Sequence, residues 1–350
     1  MSSFGFRSFA LRTPAATAVI DSRGHWTRAA LLELTDRLAH GFAENGLAAG
    51  DVLAIAAPNC AEYFAAYLAG LAAGLYVVPI NWHLAEREID YLLANSGAKA
   101  VVAHPRLGPR RLALIAERAG LALAIDGAPG CQALEEFAAL YPAAAPERPS
   151  GRQLPYTSAT TGLPKGVLRP LAGAERSLAS FVAWQRSIGV ELEAGNVHLC
   201  ASMLYHAAPL DYARTALEMG HTVVLPEDAS AEAVLRAIED HCVTTAFMVP
   251  STFVRMLRLP GALREHYETA SLRFVVHGGA PCAPEIKHAM LAWWGDVIYE
   301  SYGACEAQGT LVGPREWRAN EGTVGRPIPG TKLLIVGDDG RELPPCEIGT

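Results

Sequence analysis

The sequence predicts an α/β fold: two doubly wound, mostly parallel sheets flanked by helices in a layered αβαβα arrangement, followed by the start of a small β-rich subdomain. Three observations support this. Segments with helical periodicity alternate with short apolar segments typical of strands, an order that produces parallel sheets covered by helices on both faces. The chain has 350 residues, enough for about two domains. After Gly322 the alternation of helical and extended segments gives way to a pattern typical of a β-hairpin.

The first half alternates regularly between helical and extended patterns. Leucines at helical spacing begin near Thr27 and the pattern stops before Gly46. Helices are predicted over 27–45, 85–95 and 110–118, and strands over 52–56, 100–102 and 121–125.

Residues 63–82 contain no charged side chain, and the segment is long enough to span a bilayer. Glycine and proline interrupt it, and it is rich in alanine rather than leucine. We therefore expect a buried helix to about Ala73 and a short strand at 76–78, with no integral membrane segment.

A proline-rich connector at 142–150 separates the two halves. After it, strands are predicted over 197–201, 222–225, 244–248, 274–277 and 297–299, and Ser230 is a candidate N-cap for one of the intervening helices. Residues 332–336 and 341–343 read as a β-hairpin around the turn at 337–340. The predicted units are residues 1–150, residues 151–321 and the β-rich start at 322–350.

Composition narrows the class of protein. Hydrophobic residues make up 51% and charged residues 19%, which excludes a disordered chain. The net charge of -7 argues against a nucleic-acid binder, which normally presents a basic face. The 7 cysteines form no CxxC pair, so a zinc site and a disulfide framework are not expected. The N-terminus lacks the apolar run of a signal peptide, and we expect a cytoplasmic protein.

The most informative segment is the loop at 156–167, which reads YTSATTGLPKGV. Its hydroxyl side chains and backbone N–H groups can surround phosphate oxygens, and Lys165 adds a positive charge. The segment is not a Walker A loop, because that pattern is absent and a strand rather than a helix follows. Composition alone does not distinguish a phosphate-binding loop from a polar surface turn.

This loop resembles the phosphate-binding loop of adenylate-forming enzymes: acyl-CoA synthetases, adenylation domains of peptide synthetases and luciferases. Their usual form reads YTSGTTGxPKGV, and this chain departs from it at Ala159. If that position needs a left-handed backbone, alanine costs on the order of 1–2 kcal/mol. Further segments match in the family's order, and Cys305 replaces the family's threonine in one of them; they are MLYHAAP at 203–209, GGAP at 278–281, SYGACE at 301–306 and GTVGRP at 322–327.

The resemblance implies a set of site residues. It assigns ATP binding to the loop, to an adenine wall and to the segment that follows the last strand, namely Thr157, Ser158, Ala159, Thr160, Thr161, Gly162, Lys165, Gly279, Ala280, Pro281, Tyr302, Gly303 and Cys305. Lys165, Thr161, His206 and Glu306 would be catalytic, and Glu306 would hold Mg²⁺, a cation that prefers carboxylate oxygen. His206 would gate the carboxylate site and the thiol channel. The substrate pocket would include His206, Val249, His277 and Gly303.

The implied reaction is ATP-dependent activation of a carboxylic acid to an acyl-adenylate, followed by transfer to CoA, with ATP, Mg²⁺ and CoA required. Such chemistry depends on positioning and on neutralising phosphate charge rather than on a protein nucleophile. The family's ribose-binding aspartate and its carboxy-terminal domain with an essential lysine lie beyond this chain. We therefore expect an amino-terminal part that turns over poorly alone, and a homodimer as the commonest closed assembly.

Three other interpretations remain open. An adenylation domain would deliver to a carrier protein, and would place an aspartate in its pocket to hold an α-amino group; Asp211 is nearby in the sequence. A non-catalytic nucleotide-binding module would fit the departures at Ala159 and Cys305. The spacing His206-x4-Asp211 also occurs in glycerolipid acyltransferases, which need no ATP.

Overall fold

The structure, a computed structural model, describes residues 4–157, 162–193, 195–306 and 308–349. The predicted Ser158, Ala159, Thr160 and Thr161 lie outside the described residues. In the described ranges the helices are α1 (Phe6–Arg12), α2 (Arg28–Glu44), α3 (Ala61–Ala72), α4 (Glu86–Ser96), α5 (Pro109–Arg118), α6 (Leu134–Ala139), α7 (Ala174–Ser187), α8 (Ala207–Glu218), α9 (Ala231–Asp240), α10 (Pro250–Leu257), α11 (Gly261–His266), α12 (Pro284–Trp294) and α13 (Pro314–Ala319).

The strands of the same ranges are β1 (Thr17–Asp21), β2 (Gly24–Thr27), β3 (Val52–Ala56), β4 (Tyr76–Pro79), β5 (Ala98–Ala103), β6 (Leu121–Ala124), β7 (Gln132–Ala133), β8 (Arg152–Gln153), β9 (Tyr156–Thr157), β10 (Lys165–Gly166), β11 (Val197–Cys200), β12 (Thr222–Val224), β13 (Thr245–Met248), β14 (Phe274–His277), β15 (Ile298–Gly303), β16 (Gln308–Val312) and β17 (Arg326–Pro327). The predicted segments agree with the corresponding elements to within a few residues, and β15 runs on to Gly303. The elements that were not predicted are α1, α6, α13, β1, β2, β7, β8, β16 and β17.

Two large sheets organise the chain. A six-stranded parallel sheet has the order β7-β6-β5-β3-β4-β8. A nine-stranded sheet has the order β17-β16-β15-β14-β13-β11-β12-β1-β2 and is parallel from β15 to β1, with antiparallel strands at both edges. β9 and β10 form a separate antiparallel pair that frames the loop at 158–164.

Helices fill three layers around these sheets. Apolar residues of α2, α3 and α8 pack in one core with residues of both sheets, so these helices lie between the sheets. Residues of α4 and α5 cover the outer face of the six-stranded sheet, and residues of α9, α10 and α12 cover the outer face of the nine-stranded sheet. The predicted αβαβα layering is confirmed.

The uncharged segment at 63–82 forms most of α3 and then β4. Nearly all side chains of α3 are buried, because this helix is covered by both sheets and by α2. A Cβ atom on Gly70 would lie 2.6 Å from Cγ2 of Val77, so the glycine lets the helix pack closely on β4. In the described part of the chain, no helix combines the length and apolarity needed to cross a membrane.

Each half of the chain, before and after the connector at 142–150, contributes strands to the sheet formed mainly by the other half. β1 pairs with β12 and therefore belongs to the nine-stranded sheet, although it precedes every strand of the other sheet. β8 follows the connector but pairs with β4 in the six-stranded sheet. A division into units at residue 150 thus separates strands that are hydrogen-bonded to each other.

The predicted start of α9 is confirmed, whereas the last segment is less regular than its sequence pattern predicted. Ser230 caps α9, its hydroxyl accepting a hydrogen bond from the Ala233 N–H at 3.3 Å. The predicted hairpin at 332–343 is present only close to its turn: Val336 and Glu342 form one isolated antiparallel bridge, and the Leu343 N–H donates to the Ile335 carbonyl at 2.8 Å. The side chains at 333–335 are exposed, and a two-stranded ribbon without a covered face is marginal.

Candidate active site

A cavity of about 350 Å³ opens at the carboxyl ends of β13, β14 and β15. These strands are parallel neighbours, so the residues that follow them meet at one edge of the sheet, where open α/β sheets bind ligands. The cavity is lined on one side by the predicted nucleotide segments, including Gly279, Tyr302, Gly303 and Cys305. On the other side it is lined by α7, α8 and β13.

The loop after β14 lies very close to β15. A Cβ atom on Gly278 would be 2.6 Å from the carbonyl oxygen of Ser301, so only glycine permits this approach. Gly279 has φ +79, in the left-handed region that favours glycine. Tyr302 is 57% exposed, an unusual position for a large aromatic ring. A bare backbone beside an open ring suits a flat base, and Ala280 and Pro281 continue this wall with exposed side chains.

The described ends of the predicted phosphate loop are hydrogen-bonded to residues from the first half of the chain. The Tyr91 hydroxyl donates to the Pro164 carbonyl at 2.8 Å, and the Tyr156 hydroxyl donates to Asn95 Oδ1 at 2.7 Å. At its base, Thr157 pairs with Lys165 in the β9–β10 ladder. The predicted strand after the loop is therefore present, and Gly162 and Lys165 are exposed to solvent.

Glu306 is the candidate metal ligand, and its side chain is exposed just beyond β15. In the residues described here, no group of three or more His, Cys, Asp or Glu side chains could hold a metal ion. A single carboxylate nevertheless fits Mg²⁺, which usually binds through one or two carboxylates together with phosphates and water. The neighbouring Cys305 has its pKa raised by burial, with the Glu306 and Asp211 carboxylates adding to the effect, so the thiol stays protonated at neutral pH.

Four aromatic side chains form the inner wall of the cavity. Phe181 stacks on Trp184 with ring centroids 5.0 Å apart, and Tyr212 stacks on Phe247 at 4.7 Å. Phe181 also meets Tyr212 edge to face at 5.1 Å. Such rigid apolar walls suit a compact acyl group, and a flat ring in particular. None of the four was predicted; the only signal was the spacing of Phe181 and Trp184, which share one face of α7.

Two charged side chains also line the cavity, Arg169 and Asp211. The sequence had placed Asp211 near the site but not in it, and had not singled out Arg169. Burial raises the pKa of the Asp211 carboxyl, against the opposing effect of the neighbouring Arg214, Arg169 and Arg152.

His206 and Val249 are not among the residues that line the cavity, but each lies next to residues that do. His206 precedes α8 as its N-cap residue and is exposed, next to the lining residues Ala207 and Ala208. Its ring centroid is 4.6 Å from that of Tyr205, and desolvation lowers its pKa. Val249 packs against the aromatic cluster, and its Cγ1 would be 3.9 Å from a Cβ atom on Gly279.

The prediction that His277 lines the substrate pocket was wrong. Val276 faces the aromatic cluster, so its neighbour His277 points to the opposite face of β14, toward α12, where it is fully buried. There its Nε2 lies 3.7 Å from Glu300 Oε2, and the Lys287 ammonium donates to the same oxygen at 2.6 Å. Burial and the nearby Lys287 lower the pKa of His277 to about 3, so the imidazole is neutral.

The chain matches the family described as AMP-binding enzyme over residues 6–350, and it belongs to that family. It is 31% identical to a feruloyl-CoA synthase from an Amycolatopsis species over 96% of this chain and 66% of the relative. It is 28% identical to the fatty acid–[acyl-carrier-protein] ligase ScoC of Streptomyces coeruleorubidus over 96% of this chain and 65% of the relative. The chain thus spans slightly less than two thirds of the length of these curated relatives.

Solved structures share the fold. The amide bond synthetase McbA from Marinactinospora thermotolerans superposes with a TM-score of 0.85 at 27% identity, covering 99% of this chain and 69% of that one. A benzoate CoA ligase from Burkholderia xenovorans has a TM-score of 0.82 at 23% identity, covering 99% of this chain and 70% of that one, which shows the fold alone.

Proposed function

We propose that this chain forms the nucleotide and acyl site of an ATP-dependent acid–CoA ligase that releases AMP. The observation that carries the proposal is the single cavity in which Gly279, Tyr302 and Gly303 face an aromatic-walled pocket. Membership of the AMP-binding family and relatives named as CoA ligases support it. ATP and CoA are abundant in the cytoplasm, which is where we propose the reaction takes place.

In the proposed reaction, a carboxylate oxygen of the acid attacks the α-phosphorus of ATP and pyrophosphate leaves. The thiol of CoA then attacks the acyl carbon, AMP leaves and the thiol proton is released. Lys165 would neutralise phosphate charge, and the backbone beside Gly279 together with the Tyr302 ring would hold the adenine. Glu306 would hold Mg²⁺, which when bound supplies further charge neutralisation on the phosphates. His206 would gate the approach of the thiol.

Two features determine what these residues contribute. The described ends of the predicted phosphate loop are held on α4, because Tyr91 is hydrogen-bonded to Pro164 and Tyr156 to Asn95. The Cys305 thiol is protonated and is not needed as a nucleophile, which agrees with catalysis by positioning and electrostatics.

The test is ATP binding to this 350-residue chain, measured by isothermal titration calorimetry with Mg²⁺ present. The change Lys165→Gln should weaken ATP binding by about 10- to 100-fold, because a charge-assisted contact to phosphate contributes about 1.5–3 kcal/mol. Lys332→Gln is the matched control, because Lys332 is also an exposed lysine but lies far along the chain from the loop. This change should leave ATP affinity unchanged. Equal affinity in the wild type and the Lys165 variant contradicts the proposal.

The acceptor is a separate question, since one relative is named as an acyl-carrier-protein ligase. We propose free CoA, in line with the other relatives. A longer protein containing this chain should form AMP with acid, ATP and CoA, and a phosphopantetheinylated carrier protein should not replace CoA. Faster AMP formation with the carrier protein would reverse this assignment.

A further inference from the structure

Asp211 and Arg169 reach the apolar cavity without a polar partner. In the described part of the chain, no donor lies within hydrogen-bond distance of the Asp211 carboxylate and no cation within 4.0 Å of it. The Arg169 Nε is buried with no acceptor, and no described carboxylate lies within 4.0 Å of its guanidinium. Both side chains therefore keep their full hydrogen-bonding capacity for something inside the cavity.

Their charged neighbours are engaged elsewhere. Arg152 donates to the Pro170 carbonyl at 2.8 Å and to the Ser177 hydroxyl at 2.7 Å. Arg214 lies 3.7 Å from Glu218, four residues along the same helix. These two arginines raise the local positive potential, but they do not occupy the hydrogen-bonding positions of Asp211.

Charged groups without hydrogen-bond partners in an apolar cavity raise the free energy of the folded protein. A buried polar group without a hydrogen bond destabilises the folded protein, and a charged group does so more strongly. Native structures hold few such groups, and each one needs a physical explanation, a functional role among them. The arrangement in this cavity is therefore best explained by a substrate group that completes both side chains.

We propose that Asp211 and Arg169 form a polar subsite that selects aromatic carboxylic acids bearing a hydroxyl group. This inference rests on the proposed function, because it concerns the acyl part of the same cavity. A hydroxyl donates its proton to the Asp211 carboxylate and accepts a hydrogen bond from the Arg169 guanidinium, so one neutral group satisfies both. The stacked rings of Phe181, Trp184, Tyr212 and Phe247 bind the aromatic ring.

The opposite charges of the two side chains exclude other substituents. Arg169 disfavours an ammonium group, which argues against an α-amino acid even though an aspartate is present. Asp211 disfavours a second carboxylate, which argues against a diacid. An unsubstituted ring leaves both charges unsatisfied, and a site built to hydrogen-bond a substrate hydroxyl discriminates strongly against the analogue lacking it.

The test uses acyl-sulfamoyl adenosines, stable analogues of acyl-adenylates, titrated calorimetrically into this 350-residue chain. The panel comprises benzoyl, 2-, 3- and 4-hydroxybenzoyl, 4-aminomethylbenzoyl and 4-carboxybenzoyl forms. At least one hydroxylated isomer should bind ten-fold or more tightly than the benzoyl form. In Asp211→Ala and Arg169→Met this preference should fall below three-fold, while the benzoyl form binds as well as before or better. Asp240→Ala, at the exposed end of α9, is the control and should keep the preference.

The outcomes separate this inference from the proposed function. If the benzoyl, aminomethyl or carboxy form binds at least as tightly as every hydroxylated isomer, the polar subsite is refuted while adenylate binding stands. The same holds if the preference survives in both variants. Failure of the wild type to bind ATP and every analogue overturns the proposed function and this inference with it. If a variant does not fold, the affinities of the wild-type chain for the acyl-sulfamoyl adenosines alone decide whether the polar subsite exists.

Discussion

The buried ion pair between Lys287 and Glu300 offers a sharp test of the fold around the proposed nucleotide site. Lys287 is fully buried on α12, and Glu300 is 8% exposed on β15, two residues before Tyr302. The ammonium also lies 4.6 Å from the centroid of the Trp317 ring. The pair thus ties α12, which follows the predicted adenine-wall loop, to the strand that carries Tyr302. The perturbation is Lys287→Met, which keeps the volume and removes the charge.

The expected cost follows from burial. Lys287→Met leaves the Glu300 carboxylate in the core without its cation, and breaking a buried pair in this way costs about 3–5 kcal/mol. Replacing both partners, as in Lys287→Met with Glu300→Leu, removes both desolvation penalties, and such exchanges are often neutral or stabilising. The double variant should therefore recover most of the stability that the single variant loses.

The assay is urea unfolding followed by tryptophan fluorescence and circular dichroism. Lys99→Met is the matched control, because Lys99 is 59% exposed and lies 2.8 Å from Asp51. An exposed pair of this kind contributes about 0–1 kcal/mol. If Lys287→Met costs no more than Lys99→Met, or if the double variant is less stable than the single one, the buried pair does not act as argued.

Two further predictions concern a close backbone approach and a buried histidine. Gly278→Ala should destabilise the protein by about 1–3 kcal/mol and weaken ATP binding, because its Cβ atom would meet the Ser301 carbonyl; Gly261→Ala, which meets nothing within 4 Å, should be neutral or slightly stabilising. Urea midpoints and calorimetry check both, and equal losses in the two variants would contradict the close approach. Burial lowers the pKa of His198 to about 3, so the unfolded chain takes up this proton first and stability falls as the pH drops from 6.5 toward 3. His198→Asn should reduce the stability lost between pH 7 and pH 5 by about 2 kcal/mol, and an unchanged loss would show that His198 titrates normally.

Sequence patterns predicted what depends on nearby residues. The spacing of apolar residues located α2, β3 and α4, and a serine before an acidic first turn located the start of α9. Motif order placed Gly279, Tyr302 and Cys305 together, and the structure brings them to one cavity. These features depend on residues that are close together in the sequence, which is why periodicity and motifs reveal them.

The remaining features depend on which distant segments meet. Arg169, before α7, and Trp184, on α7, line the cavity because this segment packs against Tyr212 of α8 and Phe247 of β13, and no local pattern gives that packing. His277 was assigned to the wrong face, although strand alternation relative to Val276 decides its direction once the cavity side is known. The last segment forms the predicted turn, but its pairing stays short, because the side chains at 333–335 are exposed and no surface of the described residues buries them.

The position of β1 has a consequence for synthesis on the ribosome. Val19 pairs with Val223, so the first strand to leave the exit tunnel waits for a neighbour that appears much later. The six-stranded sheet can form in that interval, since all its strands lie between Val52 and Gln153. Meanwhile β1 can pair with β2, but its other edge stays exposed to chaperones and to wrong pairing, and slow translation between these stretches would lengthen that vulnerable period.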